Sequence, residues 1–229
     1  MSRRNKLLKF SQLHAYPNVY ENIEIENTLL LGPGEEEVEM KGRWKEHFGN
    51  DNPITLELAC GRGEYTLDLS RRYPNRNFIG VDIKGARIWK GATKALEENL
   101  TNACFLRTRI EFIHSFFEPG EIEEIWITFP DPFLRESKSN NRLTSQNFLG
   151  RYKQFLLPGS FIHLKTDSPE LYEFTLEELK STKDFELVYE ESDIYSKPLI
   201  MEELETKTYY EKMHLAGGKT IKYVRMRRG

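Results

Sequence analysis

Short apolar runs recur along this chain at intervals too long for hairpins, and that spacing limits the fold more than any other feature. ITLELAC (54–60), NFIGVDI (77–83), NACFLRTRI (102–110), EIEEIWITFP (121–130) and PGSFIHLKTD (158–167) each read as a strand. Stretches of helical period lie between them. YTLDLSRRYP (65–74) ends in a proline stop, and ARIWKGATKALEENL (86–100) repeats Ile88, Trp89, Ala92, Ala95, Leu96 and Leu100 at helical spacing. EFIHSFF is a poorer helix, and two more are expected over 144–156 and 170–181. FELVYE and IKYVRM supply a sixth and a seventh strand. Strands separated by a helix pair side by side in parallel, because a parallel partner needs a crossover connection. The predicted fold class is α/β, a mostly parallel seven-stranded sheet with helices on both faces.

The 229 residues suit one such domain with additions. Residues 1–50 form an N-terminal extension, basic at its start, in which EEEVEMKGRWKEHFGN reads as a helix ended by Gly49 and Asn50. Residues 51–229 form the core domain. No apolar run approaches the roughly 20 residues that cross a bilayer. MSRRNKLLKF also lacks the apolar region of a signal peptide. A cytoplasmic protein with no membrane contact is expected. Cys60 and Cys104 are too few for a disulfide framework or a zinc site, and the five histidines show no metal spacing, so no metal is expected. Cys60 has no histidine partner in view and reads as a packed thiol.

The formal charge is −3, but the charge is segregated. Arg3, Arg4, Lys6 and Lys9 face no acid within residues 1–16. Twelve acidic residues oppose three basic ones over 170–205, and seven basic residues oppose Glu211 over 206–229. Two readings stand: solubilising ends, or basic ends that steer a polyanion.

Strand, loop and helix at LELACGRGEYTLDL place Gly61 and Gly63 at the carboxyl end of the first core strand. Paired glycines permit close backbone approach, and the next helix offers free N–H groups to a polar ligand. The full GxGxxG fingerprint is absent, since Thr66 stands where the third glycine belongs. Asp82 closes the second strand 21 residues (82 − 61) after Gly61, where an acid accepts the hydroxyls of a ribose. Glu57, a carboxylate inside an apolar strand, needs donors. A ligand ammonium would serve, and NAD has none. The combination suggests an adenosine carrying an amino acid, S-adenosylmethionine. The plainer alternatives are a structural acid for Glu57 and a helix N-cap for Asp82.

A second group follows the fourth and fifth strands. In WITFPDPF, Asp131 stands between two prolines that restrict its backbone, a rigid setting for one carboxylate. In HLKTD, Asp167 closes the fifth strand. An Asx-turn for Asp131 and an N-cap for Asp167 are the structural alternatives. LRESKSNNRL (134–143), with Arg135, Lys138 and Arg142, suits phosphate contact, or is a loop without a role.

Together these pieces resemble the bacterial tRNA (guanine-N7)-methyltransferases, Rossmann-like class I enzymes that use S-adenosylmethionine. The resemblance rests on LELACGRGEY, NFIGVDIKGARI, TFPDPF, HLKTD and TYYEKMHLAGGKTIKYVRM, and it covers residue 54 to the end. It implies transfer of a methyl group to N7 of a guanine in the tRNA variable loop. It implies cofactor contacts at Glu57, Gly61, Gly63, Asp82, Thr108 and Asp131, with Asp131 also catalytic. Substrate contacts are implied at Arg135, Asp167, Thr208, Tyr210 and Glu211. Partners are then tRNA alone, with no obligate protein partner, as a monomer or homodimer. This chain departs from the family at Ala59, where a glycine is usual and alanine fits if φ stays negative. It departs also at Phe133 in place of tryptophan, and at Thr108 or Arg109 where an acid or amide usually meets adenine. A methyltransferase of small molecules or proteins, and a noncatalytic RNA-binding module, are the alternatives.

Overall fold

The apolar runs do become strands, and their helices follow. A computed structural model of the chain describes residues 3–22, 24 and 28–229, with side chains from Lys9 onward. It divides into two compact units, Met1–Glu118 and Pro119–Gly229.

In the first unit the order is α1 (Arg3–Ala15), β1 (Val19–Glu21), β2 (Leu30–Leu31), β3 (Glu37–Val38), α2 (Trp44–Phe48), β4 (Ile54–Leu58), α3 (Glu64–Arg72), β5 (Asn77–Asp82), α4 (Gly85–Glu97) and β6 (Ala103–Arg107). β4 pairs with β5, and β5 with β6, both in parallel. Every residue of β4 and β5 is buried, as strands covered on both faces must be, which explains their continuous apolar runs. Each fully buried Leu or Ile there contributes about 2 kcal/mol.

The N-terminal extension is more ordered than its sequence suggests. β1 adds to the sheet in parallel with β6, pairing Val19 with Phe105, and β2 and β3 continue it antiparallel. The expected helix at EEEVEMKGRWKEHFGN is correct only at its end. Its start forms β3, and Gly49 closes α2 at φ 65 as a left-handed cap. Trp44 anchors this region by stacking on Phe117 and donating its indole N–H to the Phe116 carbonyl at 2.8 Å. α1 lies on α4. Trp89 donates to Gln12 at 2.8 Å, Tyr16 bonds Thr93 at 2.9 Å, and Lys9 sits over the Trp89 ring.

The second unit contains β7 (Ile122–Thr128), α5 (Gln146–Tyr152), β8 (Leu156–Thr166), α6 (Pro169–Ser181), β9 (Phe185–Glu191), α7 (Tyr209–Ala216) and β10 (Lys222–Arg228). β7 and β8 are parallel, whereas β10 enters antiparallel between β8 and β9. β4–β10 are the seven strands expected from sequence, and β1–β3 are additional. Trp126, His163 and Tyr223 stack through the unit's core. His163 reaches the Tyr223 hydroxyl at 2.7 Å and Glu124 at 3.1 Å, so the core histidine has partners at both ring nitrogens. The last strand is no basic tail. Arg227 pairs with Glu186 of β9, and Arg225 lies over the Phe161 ring at 3.8 Å.

Candidate active site

In the first unit, the loop after β4 is shaped by two buried carboxylates. Asp82 ends β5, where one carboxylate oxygen accepts the Gly61 N–H at 2.9 Å and the other accepts the Lys84 N–H at 2.8 Å. Glu57 is 4% exposed and faces the start of α3. There its Oε2 accepts from the Thr66 backbone N–H at 2.8 Å and the Thr66 hydroxyl at 2.6 Å. The third glycine of the usual fingerprint is thus replaced by a threonine that binds the strand's acid. Of the structural alternatives from sequence, only one is present: Glu57 braces a helix, whereas Asp82 does not cap α4, whose N-cap position is Lys84 with no side-chain cap, and instead accepts the Gly61 and Lys84 N–H groups.

Three residues of this loop adopt left-handed backbone: Ala59 at φ 57, Gly61 at φ 58 and Gly63 at φ 67. Alanine therefore does not keep a negative φ here, and the condition set for it from sequence fails. Gly63 is required on a second ground, since a Cβ would stand 2.5 Å from the Phe105 ring. At Gly61 a Cβ would meet nothing within 4 Å, so the loop is open there. Thr108, just after β6, is fully buried with its hydroxyl unpaired, while its N–H donates to the Asp82 carbonyl at 3.2 Å. An open glycine turn, an accepting carboxylate and an orphaned hydroxyl thus gather at the carboxyl ends of β4–β6, and this set of polar groups fits an adenosine. Burial, with Glu57 and Asp82 nearby, pushes the Cys60 thiol well above its ordinary pKa, so it stays protonated and is no nucleophile.

In the second unit, β7 ends in a turn bounded by two strained aromatics, Phe129 at φ 49 and Phe133 at φ 41. Positive φ in bulky residues collects at functional sites, where the surroundings hold it. Asp131 is exposed, and its Oδ1 accepts the Phe133 N–H at 3.1 Å. The Asx-turn is therefore real, and it leaves the carboxylate facing solvent. Arg135, just before a short 3-10 segment, and Lys138, within it, are both exposed and placed to meet a polyanion. Arg142 is a correction. It is 5% exposed and donates to the Pro132 and Phe133 carbonyls, so it is not presented to phosphates.

Asp167 does not cap α6. Ser168 does, its hydroxyl accepting the Leu171 N–H at 3.1 Å ahead of Pro169. Asp167 is instead held between two bases of the C-terminal segment, Lys219 at 2.5 Å and His214 at 3.4 Å, and His214 stacks on Phe129. Thr208 begins α7 by accepting the Glu211 N–H at 3.1 Å, so T-x-Y-E is locally half of a capping box. Tyr210 is exposed.

Glu211 is fully buried, and its Oε1 receives the Lys165 ammonium at 2.8 Å and the Tyr195 hydroxyl at 2.5 Å, while Oε2 has no hydrogen-bond partner. Lys165 also donates to the Leu204 and Thr206 carbonyls at 3.0 Å each, which uses all three ammonium protons. Burial lowers its pKa to about 8, against the opposing pull of Glu211. Lys165 and Tyr195 escaped the sequence reading. A lysine inside the apolar run FIHLKT carried the same signal as Glu57. Among the described residues, no group of three His, Cys, Asp or Glu side chains is placed to hold a metal, and no helix is long and apolar enough to cross a membrane.

Comparison with known proteins adds to this geometry. A sequence family described as "Putative methyltransferase" matches residues 51–224. A tRNA (guanine-N(7)-)-methyltransferase of Bacteroides thetaiotaomicron is 45% identical, covering 98% of this chain and 86% of its own length. Its counterpart in Christiangramia forsetii is 44% identical over 99% of both. Among solved structures, the 16S rRNA (adenine(1408)-N(1))-methyltransferase of Catenulisporales acidiphilia aligns with a TM-score of 0.60 at 12% identity, covering 87% of this chain and 98% of that one. The 16S rRNA methyltransferase KamB aligns with a TM-score of 0.59 at 14% identity, over 85% and 96%. These two likenesses are of fold, a Rossmann-like α/β architecture.

Proposed function

The chain belongs to the tRNA (guanine-N(7)-)-methyltransferase family, and we propose that it transfers a methyl group from S-adenosylmethionine to N7 of a variable-loop guanine in tRNA. The observation that carries this reading is the set of Asp82, the open turn at Gly61 and the unpaired Thr108 hydroxyl. Asp82 meets the ribose hydroxyls, Thr108 offers its hydroxyl to adenine, and the Gly61–Gly63 turn lets the backbone come close. Glu57 places negative charge near the methionine ammonium while bracing α3. S-adenosylmethionine, when bound, supplies an electrophilic methyl group on a sulfonium.

Guanine N7 has an in-plane lone pair and needs no base to activate it, which accounts for a site built without a catalytic His or Cys. Alkylation leaves the purine positively charged. A fixed carboxylate stabilises that charge most where it develops, and Asp131 has this role. Asp167, Thr208 and Tyr210 belong to guanine and ribose recognition, and Arg135 and Lys138 to the phosphate backbone. Asp167 reaches a substrate by exchanging its His214 or Lys219 partner. Glu211 contributes chiefly by fixing α7 from the interior. The expected setting is the cytoplasm.

The test is incubation of the purified protein with unmodified tRNA and methyl-labelled cofactor, followed by nucleoside analysis. Label in 7-methylguanosine is expected. Label in another nucleoside, or none, overturns the reading.

A further inference from the structure

A guanidinium cannot shed its charge, so burying one costs several kcal/mol unless its N–H groups find acceptors. Arg142 is buried, and the acceptors it finds all belong to one turn. Its Nε donates to the Pro132 carbonyl at 3.1 Å and the Phe133 carbonyl at 3.3 Å, and its Nη2 donates to the Phe133 carbonyl at 3.1 Å. Its guanidinium lies over the Phe174 ring of α6 at 4.3 Å, which sets its plane. The Glu136 carboxylate is 4.0 Å away and 88% exposed, so it balances little of the charge.

That turn needs holding. Phe129 and Phe133 both have positive φ, a conformation costing bulky residues on the order of 1–3 kcal/mol each. One end is tied where the Phe129 N–H donates to the Lys165 carbonyl at 2.8 Å. The other end depends on the Asp131–Phe133 contact and on Arg142. We infer that Arg142 is a positioning residue, whose guanidinium keeps residues 129–133 in their strained form and so fixes where Asp131 presents its carboxylate. The inference rests on the catalytic role proposed above for Asp131. It separates Arg142 from Arg135 and Lys138, although the three lie within eight residues of one another.

Two substitutions test it. Arg142→Lys keeps the charge but replaces the rigid planar fork by a single point of donation on a flexible stem, and Arg142→Met keeps an apolar stem against Phe174. Single-turnover methyl transfer at saturating tRNA and cofactor is expected to fall about 100-fold in both, the scale of a catalytic group displaced by an ångström. Dissociation constants for tRNA and cofactor should stay near wild type, which also reports that the variants are folded. The slope of log Kd for tRNA against log salt should not change, whereas loss of a phosphate contact lowers it by about 1. Independently of activity, the Phe133 amide should exchange with solvent faster in both variants, with the amides of β8 unaffected. A normal saturated rate, a reduced salt slope, or unaltered Phe133 exchange each overturns the inference. If the wild-type protein transfers no methyl to tRNA, the functional reading falls, and the exchange measurement still decides whether Arg142 holds the turn.

Discussion

At the scale of single residues, the site is built from groups that already have structural work. Asp131 closes an Asx-turn with one carboxylate oxygen. Asparagine can make the same bond through its carbonyl oxygen, so Asp131→Asn separates charge from shape. Single-turnover methyl transfer should be nearly abolished while tRNA and cofactor still bind, because the lost charge matters most as the purine becomes cationic. A near-normal saturated rate would return catalysis to another residue. Ala59 offers a test of opposite sign. Its Cβ sits in a left-handed conformation at φ 57, where glycine is at ease. Ala59→Gly should raise stability by about 0.5–1 kcal/mol in urea denaturation, after allowing for glycine's freer unfolded chain. A loss of stability would mean that the Ala59 methyl group is needed for packing.

At the scale of elements, the segment from Leu204 to Glu211 depends on one lysine. Lys165 ties two carbonyls and a carboxylate of that segment to β8. Lys165→Met leaves Glu211 buried without its cation, and breaking such a pair costs about 3–5 kcal/mol. The cost should depend on pH in a defined direction. Lys165 loses its proton near pH 8 in the folded protein, below the ordinary lysine value of about 10.4. Between these limits the unfolded chain holds more protons at this position, so the folded state gains stability as pH rises. The stability gap between wild type and Lys165→Met, measured by denaturant titration at pH 7.5 and pH 10, should therefore widen. A gap that narrows would show that the ion pair, not burial, dominates the titration of Lys165.

At the scale of the whole molecule, the charge segregation seen along the chain is partly undone in space. The acidic stretch contributes β9 and the basic C-terminal stretch contributes β10, and the two pair directly, with Arg227 on Glu186. Lys219 is likewise spent on Asp167. Free basic charge for a polyanion must then come largely from elsewhere. Arg3, Arg4 and Lys6 are candidates, although their side chains lie outside the described residues. Deleting residues 1–9 leaves Gln12, Leu13 and Tyr16 to hold the rest of α1 on α4. That deletion should weaken tRNA binding and flatten its salt dependence while sparing cofactor affinity. Unchanged tRNA affinity would make the N-terminus a solubilising extension only.

The sequence by itself determined the seven core strands and the glycine turn, and it singled out the acids Glu57, Asp82, Asp131 and Asp167 as candidates. Those features are written in local pattern: apolar runs, glycine and proline positions, and charges that interrupt a strand. It did not reveal β1–β3, because strands of two or three residues leave too short a pattern and take their stability from the neighbour they join. Partners separated by tens of residues were equally invisible. Arg142 and Arg135 look alike in a polar loop, yet one is buried beneath a turn and the other faces solvent. Lys165 meets Glu211 only because β8 and α7 pack together. Tertiary structure alone chose which charges are buried, since burial depends on what the rest of the chain places around a side chain.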